Sequence, residues 1–64
     1  MIKWIATIST DEGNVDLGVD ERDGKFFVAA ANGEYVPIPP QASEQELRDA
    51  ITAKFQHEGL TWKA

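Results

Sequence analysis

Catalysis by a Ser or Thr nucleophile needs a base within reach, and the chain's one histidine, His57, is the first candidate. It stands two residues before Gly59, at the end of a helical pattern, where an imidazole suits the negative end of the helix dipole. Paired carboxylates do acid–base work where a cleft raises one pKa. The pairs here, Asp11/Glu12 and Asp20/Glu21/Asp23, fall in turn segments, where acids bond the local backbone. The run Asp20-Glu21-Arg22-Asp23-Gly24 invites comparison with a calcium loop. Placing Gly24 at the sixth position of such a loop puts Val19 at the first, which has no oxygen to offer. With no cysteine there is no disulfide and no Cys/His zinc site. Each of the five glycines is explained by a turn, a strand or a helix cap, so no phosphate-cradling loop remains. These residues predict no enzyme, no metal and no cofactor.

Charge narrows the field further. Eleven acids against six bases give −5 on 64 residues. An ordinary nucleic-acid protein needs a basic face. The bases Lys3, Arg22, Lys25, Arg48, Lys54 and Lys63 are scattered, with only Arg22 and Lys25 close together. The opening MIKWIATIS alternates like a strand and carries no long apolar run, so a cytoplasmic protein without a leader or membrane span is expected.

The elements that must position any site are well marked. Residues 2–9 alternate, with Ile2, Trp4, Ala6 and Ile8 on one side and Lys3, Ile5, Thr7 and Ser9 on the other, which predicts a strand. Thr10-Asp11-Glu12-Gly13-Asn14 turns the chain back, and residues 15–20 alternate again. Asp23-Gly24 and Asn32-Gly33 are strong hairpin signals, because a type I′ turn needs φ > 0 at both central residues. The first turn predicts Arg22 opposite Lys25, Val19 opposite Val28 and Leu17 opposite Ala30. The second predicts Ala31–Glu34, Ala30–Tyr35, Ala29–Val36 and Phe27–Ile38, with Pro37, Pro39 and Pro40 limiting that fourth run to an edge or half strand. Ser43 and Glu46 form a capping box for a helix from Glu44 to about Glu58, closed by Gly59, with Leu60 folding back onto Phe55. Residues 60–64 alternate as a short final strand or an extended edge segment.

The expected fold is a single α+β domain over 1–64. A small antiparallel sheet of three to four strands, in the order β-β-β-(β)-α-(β), carries one helix on one face. A chain this short buries only about 60% of its unfolded surface, so the core is thin. The helix, through Leu47, Ile51 and Phe55, should cover a face made of Ile2, Trp4, Ile8, Val15, Leu17, Val19, Phe26, Val28 and Tyr35. The other face then collects Ile5, Phe27, Val36 and Ile38, with Gly18, Ala29 and Ala31 low between them and Asp16, Asp20 and Glu34 at the rim. An apolar patch ringed by charge marks an interaction surface on a small domain.

Two function classes follow. The first is a non-catalytic protein-binding module working through Ile5, Phe27, Val36, Ile38, Asp16, Asp20 and Glu34, toward a protein partner or a second copy. Small acidic cysteine-free chains of this kind look like phage or mobile-element inhibitors that occupy a host protein's nucleic-acid or partner site. In that version Asp11, Glu12, Asp16, Asp20, Glu21, Asp23 and Glu34 mimic phosphates, since i, i+2 acids on a strand lie about 6.6–6.8 Å apart. The second class is nucleic-acid binding. Three strands followed by a helix resembles, in element order, the arm-binding domains of phage integrases and plant AP2 domains, which insert a sheet into the major groove. Those families present Arg and Lys on the exposed sheet face. Here Asp16, Asp20, Phe27, Val36 and Glu34 are expected there, so direct nucleic-acid binding is disfavoured.

Overall fold

A computed structural model describes residues 1–34 and 36–63. It contains β1 (Ile2–Thr10), β2 (Gly13–Arg22), β3 (Lys25–Ala30), α1 (Glu44–Phe55) and β4 (Thr61–Trp62). The four strands form one antiparallel sheet in the order β3-β2-β1-β4. This is the expected small α+β fold, with the tail joining the sheet beside β1.

The β2–β3 hairpin has the predicted register, with Arg22 opposite Lys25, Val19 opposite Val28 and Leu17 opposite Ala30. Its turn residues Asp23 and Gly24 have φ of 51° and 76°, the left-handed values that a two-residue hairpin loop requires. Facing Arg22 and Lys25 carry like charge. Arg22 relieves this by turning to Asp20, at 2.7 Å, and by lying over the Phe27 ring.

Asn32-Gly33 turns the chain but starts no second hairpin. Gly33 takes φ 78°, its N–H donates to the Ala30 carbonyl, and the Asn32 side chain accepts from the Glu34 amide. Beyond this turn the predicted pairs of Glu34, Val36 and Ile38 with β3 do not form; the Ala30–Tyr35 pair lies outside the described residues. Three prolines within four positions remove the amide donors a ladder needs. Ile38 instead donates to the Val36 carbonyl in a tight local turn, and both side chains reach the core. The chain rejoins β3 at Gln41, which exchanges both backbone hydrogen bonds with Phe26.

Ser43 caps α1 by accepting from the Glu46 amide at 3.2 Å, as its position before an acidic first turn predicts. The helix stops at Phe55, three residues before the expected end, and Gln56–Gly59 continue as turns. Gly59 has φ 65°, and a Cβ there would lie 2.6 Å from Ser9 Oγ. Glycine is thus required by conformation and by space. The close approach lets the Glu58 carbonyl accept from the Ser9 amide at 2.8 Å, docking the helix end on β1. The core lies between helix and sheet, with Leu17, Leu47 and Ile51 fully enclosed.

Candidate interaction face

The geometry of the sheet is decided by one residue. Trp4 pairs with Gly18 and Ala6 with Leu17, so Ile5 is an extra residue in β1, a β-bulge. Past the bulge the alternation of β1 shifts phase. Ala6 and Ile8 face the helix as expected, Ile5 joins them at 3% exposure, and Ile2 and Trp4 pass to the opposite face. Their expected place in the core is therefore corrected, because a strand with one inserted residue reverses every side chain before it.

On the open face the strand registers define rows. Trp4, Gly18 and Ala29 form one, and Ile2, Asp20 and Phe27 form the next. Gly18 is what lets the aromatic and aliphatic side chains lie flat: a Cβ there would come within 2.5 Å of Ile2 Cγ2 and 2.8 Å of Trp4 Cε3. Even so, Ile2 stays 39% and Trp4 40% exposed, and among the described residues no helix or strand crosses this side. A glycine inside a strand is a recognised sign of a bulge or a close approach. Ile5, the lone apolar residue on the polar side of the 2–9 alternation, was the second available signal.

Both aspartates beside this patch are paired with bases. Asp20 is held by Arg22 at 2.7 Å, and Asp16 by Lys63 at 3.3 Å. With Lys25 beside Arg22, the face carries three bases and two acids, or +1, which leaves −6 on the rest of the −5 chain. The remaining acids do not converge. Asp11 and Glu12 occupy the β1–β2 turn, and Asp23 sits in the β2–β3 turn at the other end of β2. Glu44, on the helix side, is bonded by Lys3 at 2.8 Å and Arg48 at 3.0 Å. Those two bonds, Lys3 first, hold its carboxyl below the usual range.

Of the predicted site residues, Phe27, Asp16 and Asp20 lie on the open face, each half-buried. Ile5 does not, and neither do Ile38, 9% exposed in the core, and Val36, packed against it. Glu34 follows the Asn32-Gly33 turn and lines a hollow along β3 together with Arg22, Phe27 and Ala29. Residues missed by the sequence pattern are Ile2, Trp4, Arg22 and Lys63.

The catalytic candidates stay apart chemically. His57, Ser9 and Asp11 line a common hollow near the helix end, yet no hydrogen bond joins His57 to either among the described residues. Ser9 Oγ instead donates to Asn14 at 3.3 Å. No group of three or more His, Cys, Asp or Glu side chains is placed to hold a metal among the described residues. A cleft of about 210 Å³ between β2 and the end of α1 is lined mainly by Ile8, Val15, Leu17 and Phe55, with Lys54 among its few charged residues. No described helix is long and apolar enough to cross a membrane. No family model, curated protein or solved structure matches this chain.

Proposed function

We propose that this chain is a non-catalytic protein-binding module that docks through the open face of its sheet. Trp4, Ile2 and Phe27 are its apolar anchors, and Asp16, Asp20, Arg22 and Lys63 form its charged rim. The observation that carries this reading is the exposure of Trp4 and Ile2, laid over Gly18, on a side that no helix or strand covers among the described residues. Tryptophan is the residue type most favoured at binding hot spots, where a few side chains carry most of the energy. Pairing of Asp16 and Asp20 with bases favours apolar docking over phosphate mimicry. The finer reading is a cytoplasmic inhibitor that occupies a partner site on another protein.

The test is to capture proteins from a nuclease-treated lysate on immobilised wild type and on Trp4→Asp, with circular dichroism to verify the variant's fold. Proteins retained by wild type and released by a folded Trp4→Asp are the expected result. Identical sets on both would sink the reading.

One observation favours a second reading, nucleic-acid binding through the same face: its +1 balance on an otherwise acidic body, with Arg22, Lys25 and Lys63 exposed around Trp4. In that case binding to duplex DNA weakens steeply as salt rises, and Arg22→Ala lowers the slope of log K against log salt by about 1. Loss of all retained material on nuclease treatment would favour this reading over the first.

A further inference from the structure

We propose that Asn32 is a site of self-modification, where the folded chain converts its own side-chain amide to a carboxylate through a cyclic imide. The site lies apart from the docking face and does not depend on it. Asn32, Gly33 and Glu34 are exposed in the turn after β3, and Asn32 Oδ1 accepts from the Glu34 amide at 2.9 Å. A turn closed in this way folds the side chain back over the peptide that follows it, which brings Cγ toward the Gly33 nitrogen. Gly33 has no Cβ to shield that nitrogen, and the space where one would stand is open, with nothing within 4 Å.

Water is the only co-reactant. The Gly33 N–H gives its proton to solvent base, and the nitrogen attacks Asn32 Cγ. Negative charge then gathers on Oδ1, where the Glu34 N–H already stands as a donor. Collapse breaks the Cγ–Nδ2 bond, and Nδ2 leaves as ammonia. Water opens the resulting imide on either side. Cleavage at the side-chain carbonyl gives aspartate on an ordinary backbone; cleavage at the main-chain carbonyl gives isoaspartate, with an extra methylene in the chain path. The Gly33 N–H donates to the Ala30 carbonyl at 3.1 Å, a bond that must open first, so the conversion is slow and promoted by base.

This link joins β3 to the segment that carries Val36 and Ile38 into the core. A longer backbone here loosens that closure, and the new carboxylate adds a charge to the −5 of the chain, beside Glu34. The conversion thus acts as a timer on the core's outer wall. The other asparagine, Asn14, lacks these features. It lies in β2 opposite Ser9, accepts from Ser9 Oγ at 3.3 Å, and is followed by β-branched Val15.

Peptide mass mapping of the full chain, held folded in mildly alkaline buffer, tests this. Asn32 should show the mass change of amide to acid, with isoaspartate among the products, while Asn14 keeps its amide and circular dichroism reports an intact fold. Glu34→Ala keeps the amide donor and should convert as wild type does. Glu34→Pro has no such donor and should convert severalfold more slowly. The isoaspartyl form, separated by ion exchange, should unfold at lower urea than the unconverted chain. An Asn32 that keeps its amide in the folded chain, over a time in which guanidinium-unfolded chain loses it, overturns the proposal. So does conversion of Asn14 at the same rate, or equal rates in Glu34→Ala and Glu34→Pro. Equal urea midpoints for the two forms overturn the timer.

Discussion

Leu17 and Gly18 are neighbours in β2, yet one lies at the centre of the core and the other beneath an exposed tryptophan. The same contrast holds across the whole sheet. The helix side gathers Ile5, Ala6, Ile8, Leu17 and Val19 under Leu47, Ile51 and Phe55, and Ile38 closes it. The other side keeps large apolar groups half in water, with Asp16 and Asp20 each paired to a base. Nothing in amino-acid type separates Trp4 from Ile5. What separates them is a single inserted residue, and the difference shows that a bulge can assign side chains to a face as decisively as composition does.

The largest effects should come from the covered side. Ile51→Ala removes a fully enclosed side chain and should cost about 2–5 kcal/mol, a large part of what a 64-residue domain has, read as a lower urea midpoint. Ile5→Asn should cost a comparable amount, while Trp4→Asn, one residue away, should cost no more than about 1 kcal/mol. Equal losses at positions 4 and 5 would mean the bulge is elsewhere. Val36→Asp belongs with the core group, and unfolding at lower urea than Phe27→Asp would confirm that Val36 serves the core.

Next in size is the floor of the open side. Gly18→Val places a good strand former where Ile2, Trp4 and the Lys3 carbonyl leave no space, and should destabilise by about 1–3 kcal/mol. Ala29→Val, its row neighbour on β3, should be close to neutral. Gly59→Ala combines positive φ with the contact to Ser9 Oγ and should cost about 1–2 kcal/mol, part of it recovered in a Ser9→Ala background; additive costs would show that backbone conformation alone is responsible.

The smallest effect concerns pH. Glu44 has a lowered pKa in the folded chain, so its contribution is present above the ordinary carboxylate range and is lost as pH falls through its folded pKa. Lys3 is largely exposed, so this amounts to a few tenths of a kcal/mol. Urea midpoints of wild type and Glu44→Gln should therefore converge as the solution is acidified. A constant gap would show that Glu44 acts through packing instead of charge.

Much of this molecule is legible in local sequence. Asp23-Gly24 set a register that the structure reproduces pair for pair, because φ > 0 at both turn residues leaves one geometry for the flanking strands. Ser43 began the helix and Gly59 ended its closing turn at the predicted positions, for equally local reasons. The Asn32-Gly33 turn carried the same signal as Asp23-Gly24, but what followed it was decided elsewhere. Val36 and Ile38 gain more from the core than prolines allow them to gain from a ladder.

The candidate site was legible only in part for the same reason. Phe27, Asp16 and Asp20 could be placed because β2 and β3 pair without interruption. Ile2 and Trp4 could not, since strict alternation is assumed until a partner strand reveals an unpaired residue. The sequence by itself determined the elements, their turns, the caps and an acidic chain without metal-ligating cysteines. Only the tertiary structure decided which apolar residues the helix covers, because facing depends on pairing between strands, and pairing is not a local property. Lys63, at the far end of the chain from β1, reaches Asp16 only once the tail has joined the sheet, and with it Asp16 acquires its paired base.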